Sequence, residues 1–190
     1  TLACARLTKR NGVDHLYAGD GGDELFGGNE RYVRQRVFEL FSRLPGFVRS
    51  SIIQPVASRF DPETSPLPFR KFASYVGQAS IPLPERFESW NLIYREGAEQ
   101  VFSGDFLQSV DTAAPLKHME DVWNSCPSDD LLDKMLWYDW KFTLADNDIR
   151  KVSTMSELAG VHVSYPMLEE GFDIHAYSSI DESKRLFGIK

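Results

Sequence analysis

The sequence of this 190-residue chain predicts a mainly α-helical fold with one or two short strands. Two observations carry that expectation. Apolar residues recur at helical spacing along most of the chain, and Gly and Pro fall between those runs. Extended character is confined to "VDHLYAG" and, more briefly, to "VHVSYP" near the C-terminus. A lone strand cannot make a sheet. If it joins a parallel one, the remaining strands are expected outside the chain, on the N-terminal side.

Each element follows from local chemistry. "TLACARLTKRNG" reads as a helix end, with Leu2, Ala5 and Leu7 on one side, basic residues late, and Asn11-Gly12 as the stop. "VDHLYAG" then reads as a short buried strand leading into a glycine-rich loop. From Asn29 to Leu44, apolar positions 33, 37, 40, 41 and 44 predict an amphipathic helix. Pro45-Gly46 breaks it. Phe47–Phe60 is expected as a second helix, interrupted at Pro55, and Phe69–Gln78 as another after a proline-rich turn. A further helix is expected after Pro84. "SDDLLDKMLWYDWKFTLADNDIRKV" is the longest helical signal, with Ser128 as its cap and Asp129 and Asp130 favouring its positive end. The aromatics of "MLWYDWKF" lie at helical spacing and read as packing residues.

Bulk composition narrows the function classes. A hydrophobic content of 42% supports one ordinary core, so one domain or most of one is expected. The net charge of −7 argues against a nucleic-acid surface. No apolar run reaches the ~18 residues of a membrane span. Cys4 and Cys126 are far apart and sit in no metal spacing, which suits the reducing cytoplasm. His15, His118, His162 and His175 show no metal spacing either. Ser153 and Ser156 lack the His and Asp companions of a hydrolase triad. Arg31, Arg34 and Arg36 read as a solvated helix face. With no Met at Thr1 and an abrupt stop at Lys190, residues 1–190 read as a piece of a longer protein.

The informative stretch is "HLYAGDGGDELFGGNERY", residues 15–32. A strand, a glycine loop and a helix start can hold phosphate through backbone amides. The carboxylates of Asp20 and Asp23 would repel phosphate unless magnesium sits between them, and a carboxylate can also act as a base or orient an amine. The plainer reading is a turn, with Gly27-Gly28 spacing two helices. The stretch is neither a dinucleotide fingerprint, since Glu24 stands where the third Gly belongs, nor a P-loop, nor an EF-hand.

"LYAGDGGDELFGGNERY" closely resembles the signature of the asparagine synthetase family. A second, weaker likeness runs through "DNDIRKVSTMSELAGVHVSYPMLEEGF", where Lys151, Val152, Met155, Ser156, Ala159, Pro166 and Leu168 match. The resemblance implies the C-terminal portion of an α/β adenine-nucleotide α-hydrolase-like (ATP-pyrophosphatase) domain, with ATP and Mg2+ as cofactors. It implies that Asp23 helps bind magnesium-pyrophosphate, that Asp20 assists amine attack, and that Gly19, Gly21 and Gly22 shape the nucleotide loop. It also implies a late lysine on the pyrophosphate, for which Lys190 is the candidate. The implied substrates are a small-molecule carboxylate and an amine, the latter ammonia from glutamine. The phosphate loop and the glutaminase domain are then expected in the N-terminal remainder of the same protein, and homo-oligomerisation is left open. The chain departs from the pattern at Ser153-Thr154 (Asp-Arg in the family), at His162 and Ser164 (Glu and Arg), at Tyr165 (Val) and at Glu169 (Asp). Two classes follow: an ATP-dependent amide-forming ligase, favoured by Asp20 and Asp23, and a non-catalytic helical scaffold, favoured by the departures.

Overall fold

The computed structural model describes residues 1–61 and 64–169. It is mainly helical, and the described residues form two compact units: Thr1–Val33 with the chain from Cys126 onward, and Arg34–Ser125.

The first unit opens with α1 (Leu2–Arg10), which ends where expected: Asn11 closes it through its side-chain amide on the Leu7 carbonyl (2.8 Å), and Gly12 turns at φ +75°. β1 (His15–Tyr17), α2 (Gly22–Phe26) and the start of α3 (Glu30–Ser42) follow. α3 continues into the second unit. There α4 (Gly46–Val48), a π-helical turn (Arg49–Ile53) and α5 (Gln54–Ala57) run on without a break. The interruption expected at Pro55 does not occur. Proline lacks an N–H and crowds the carbonyl four residues back, and the wide turn before it absorbs both effects. α6 (Leu67–Ser80) packs on α5. The helix expected after Pro84 divides into a 3₁₀ turn (Glu85–Glu88) and α7 (Leu92–Glu96), which Asn91 caps through the Ile93 N–H. Short α8 (Ala98–Val101) and α9 (Gly104–Ser109) lead to α10 (Ala114–Asn124).

The chain then returns to the first unit with α11 (Leu131–Asp139), a π-helical stretch (Trp140–Ile149) and α12 (Arg150–Glu157). The cap of α11 is Asp130 rather than Ser128: its carboxylate accepts from the Leu132 and Asp133 N–H groups. Ser128 bonds Asp130 and Asp133 and so steadies the cap. β2 (His162–Ser164) pairs in parallel with β1.

Two expectations about burial are corrected. β1 is not buried: His15 and Tyr17 share one face, as the two-residue period requires, and Tyr17 is 76% exposed. The predicted apolar stripe of α3 is also largely open. Val33, Val37, Leu40 and Leu44 are exposed, Leu40 at 60%, and only Phe41 is buried. The helix instead buries Tyr32 and Gln35, both of which hydrogen-bond to buried charges. Satisfying those charges outweighs covering four aliphatic side chains.

Candidate active site

The parallel ladder aligns His15 with His162, Leu16 with Val163 and Tyr17 with Ser164, and the Ala18 N–H extends it to the Ser164 carbonyl at 2.9 Å. Both strands therefore end on one edge. The loop after β1, Gly19–Gly21, and the turn after β2, through Leu168, leave from that edge together. Outside the carboxyl ends of parallel strands is where open α/β sheets bind ligands. Gly21 is held there for two reasons. Its φ is +95°, and a Cβ on it would lie 2.3 Å from Leu168 Cδ2. Beside Gly19 and Gly22 a Cβ would meet nothing within 4 Å, so their backbone faces open space.

Asp20 sits half-buried in the loop, and Asp23 is exposed in the first turn of α2. The Asp23 carboxylate lies over Gly28, where a Cβ would come within 2.7 Å of its Oδ1. Gly27, at φ +66°, turns the chain back to make that approach. The start of α2 is a poor anion holder by itself. The helix has only five residues, and Asp23 and Glu24 in its first turn outweigh the roughly half-unit positive charge of a full-length helix end. One cation near the loop is Lys151, which donates to Asp148 Oδ1 at 2.6 Å. That hydrogen bond, then the charge of Asp148 and that of Asp20, hold the ammonium above its ordinary pKa. Burial pushes the Glu24 carboxyl up, and the neighbouring charges of Asp139, Asp23 and Asp148 add to the effect.

Behind the loop lies a buried polar hub. Asp139, 1% exposed, receives the Arg31 guanidinium, the Tyr32 hydroxyl at 2.6 Å and the Thr143 hydroxyl at 2.9 Å. Burial raises the Asp139 pKa, and Arg31, Tyr32 and Thr143 oppose the rise. Burial, with the Asp139 charge, also pushes the Tyr32 phenol far up. The hub ties the start of α3 to the end of α11, and α11 packs against α2. The segment "DELFGGNERY" is thus anchored at its far end, close behind its carboxylates.

A family model described as asparagine synthase matches residues 1–188. The chain belongs to the asparagine synthase family. No curated protein and no solved structure matches it.

Set against the asparagine synthase pattern, two of the chain's departures answer each other. Ser153, where the family has Asp, hydrogen-bonds at 2.7 Å to the hydroxyl of Tyr165, where the family has Val. Ser164 and His162, at the family's Arg and Glu positions, meet His15: its Nε2 lies 3.0 Å from Ser164 Oγ, and its ring stacks on that of His162 at 6.4 Å. Glu169 is exposed. Ser153 and Ser164 thus place hydrogen-bonding hydroxyls where the family has charged side chains.

Of the residues singled out in the sequence, Gly19, Asp20 and Gly21 form the loop after β1, and Gly22 and Asp23 open α2 directly behind it. Lys190 lies outside the described residues. Among the described residues no group of three or more His, Cys, Asp or Glu converges as a metal cage. An exposed carboxylate cradled over a glycine still fits magnesium, which takes one or two carboxylates and completes its shell with phosphate oxygens and water. Sequence reasoning missed the roles of Lys151 and Asp139. For Asp139 the signal was present: a carboxylate on the apolar face of "MLWYDWKF" must be paired when that face is buried.

Proposed function

We propose that residues 1–190 form the C-terminal portion of an adenine-nucleotide α-hydrolase-like synthetase domain that joins a small-molecule carboxylate to an amine at the expense of ATP. The observation that carries the reading is the placement of Asp20 on the glycine loop, and of Asp23 in the first turn of α2 directly after it, at the carboxyl ends of two parallel strands.

In this reading the substrate carboxylate attacks the α-phosphorus of ATP, the bond to the β-phosphate oxygen breaks, and pyrophosphate leaves. The amine then attacks the acyl carbon, the acyl–oxygen bond breaks, and AMP leaves. Magnesium, when bound, neutralises the pyrophosphate charge. Asp23 is the carboxylate that would hold it, and the open backbone at Gly19 and Gly22 lets phosphate oxygens approach. Gly21 keeps the loop closed on Leu168. Asp20 receives the amine and takes its proton. Lys151, fixed by Asp148, offsets the loop's negative charge, and Lys190 is the candidate for the late lysine on pyrophosphate. Ammonia from glutamine is the amine, supplied by the N-terminal remainder of the protein, and the setting is the cytoplasm.

The test is pyrophosphate release by the full-length protein against magnesium concentration. Asp23→Asn removes the anionic ligand while nearly keeping its shape, so the curve should move to higher magnesium and its plateau should fall. An unchanged curve would place the metal elsewhere.

A further inference from the structure

Asp139 is 1% exposed in the first unit, and the ligase reading gives it no part. Both of its oxygens are engaged. Oδ1 accepts from Arg31 and from the Thr143 hydroxyl at 2.9 Å, and Oδ2 accepts from the Tyr32 hydroxyl at 2.6 Å. A buried ion pair is weak evidence for stability, because apolar residues of similar volume often serve as well or better. What a buried carboxylate with several donors adds is one permitted geometry for the segments that bring them.

Two of those segments run to the carboxylates of the site. From Arg31 and Tyr32 the path is short and closed by hydrogen bonds. The Arg31 N–H donates to the Asn29 side chain at 3.0 Å, and the Tyr32 N–H to the Asn29 carbonyl at 3.1 Å. Gly28, the adjoining residue, donates to the Asp23 carbonyl at 3.2 Å, and its missing side chain leaves the room that Asp23 Oδ1 occupies. Two turns joined at one peptide thus lead from the hub to Asp23. From Thr143 the chain continues through the π-helical stretch to Asp148, which holds Lys151 near Asp20. The hub is electrically close as well. After burial, the Asp139 charge is the leading influence that raises the carboxyl of Glu24, the residue next to Asp23.

We propose that Asp139 is a positioning residue for the metal-holding carboxylate: through Arg31 and Tyr32 it fixes the turn that carries Asp23, and so sets how tightly a divalent cation with its nucleotide binds there. The inference rests on the ligase reading, which puts the cation on Asp23. Losing an outer partner that touches a metal ligand costs about 10–100-fold in affinity. Asp139 acts through an intervening turn, so its effect is smaller.

The test uses the full-length protein, Mn2+ in place of Mg2+, and α,β-methylene-ATP, which cannot be cleaved at the bond the reaction breaks. The water-proton relaxation rate rises when protein immobilises the manganese–nucleotide complex, and titration gives its dissociation constant without turnover. Asp23→Asn should weaken binding by about tenfold or more, Asp139→Asn by about three- to tenfold, and Tyr32→Phe by about twofold. Asp139→Asn added to Asp23→Asn should cost nothing further, because Asp139 acts through Asp23. A hub with a structural role alone would lower the melting temperature of Asp139→Asn and leave manganese binding at the parent's value. That result would overturn the inference while the ligase reading stands, and so would losses that add in the double variant. If Asp23→Asn itself binds like the parent, the cation is not on Asp23, and the reading and the inference fall together. Where Asp139→Asn fails to fold, Tyr32→Phe decides, since it removes one hydroxyl and keeps the ring: weakened binding supports the proposal and parent-like binding overturns it.

Discussion

Among the described residues each unit buries one charge, and the two are solvated in different ways. In the first unit Asp139 has a cation, Arg31, and two hydroxyls. In the second, Arg86 is buried with neutral partners: it donates to the carbonyls of Ile81 (2.8 Å) and Ala79 (3.3 Å) and to Gln35 Oε1 (2.9 Å), and its guanidinium stands 5.0 Å from the Phe38 ring centroid. Burial lowers the Arg86 pKa without a carboxylate to resist it. A paired ion is strongly coupled to its partner, so losing one side strands the other. A dipole-solvated ion strands only weaker, neutral acceptors.

The largest expected effect is therefore Asp139→Ala. It removes the carboxylate that accepts from Arg31 and from the Tyr32 hydroxyl, and breaking a buried pair costs about 3–5 kcal/mol. Arg31 keeps some access to water, which places the cost near the lower end. Urea denaturation should show the loss as a lower midpoint with an unchanged slope. A loss under about 1 kcal/mol would mean that the hub is not a coupled pair.

Arg86→Met should cost less, about 1–2 kcal/mol, because three unsatisfied acceptors are partly offset by relief of an unpaired buried cation. The same denaturation assay ranks the two variants. If Arg86→Met proved the more damaging, the contrast between paired and dipole-solvated charge would fail.

A smaller effect concerns the crowding of carboxylates in the first unit. The folded pKa of Glu24 is raised above its ordinary 4.5, so the folded state binds its proton more tightly than the unfolded chain does. Its stabilising contribution is complete below pH 4.5 and is lost as pH rises through the raised folded value. Glu24→Gln should accordingly stabilise the protein at neutral pH and make little difference in acid. The side chain is partly solvated, so the gain is held to about 1 kcal/mol or less. Thermal melts at paired pH values would show it, and a destabilised neutral-pH protein would contradict it.

What the sequence disclosed and what it hid divide along the same line. Signals settled by near neighbours were legible. Asn11-Gly12 stopped α1, the strand fell inside "VDHLYAG", and the glycine–carboxylate segment followed it directly. Signals settled by distant partners were not. The face of α3 depends on Asp139, 107 positions from Tyr32, and on Arg86, 51 positions from Gln35, so apolar spacing alone chose the wrong side. Lys151 carried a family match, but its place beside Asp20 came from the return of the chain through α12. Pro55 signalled a break, and a wide turn in the preceding residues was enough to avoid one.

The central claim is that the carboxylate loop performs amide formation, and Asp20→Asn in the full-length protein tests it most directly. Adenylation depends on metal and phosphate contacts, whereas aminolysis needs a group to hold the amine and take its proton. AMP and amide product are measured side by side. The account predicts near-normal AMP release with amide formation slowed about 10²–10⁴-fold, the usual worth of a positioned acid–base group. Equal, near-normal yields of both would make Asp20 a turn residue and contradict the account.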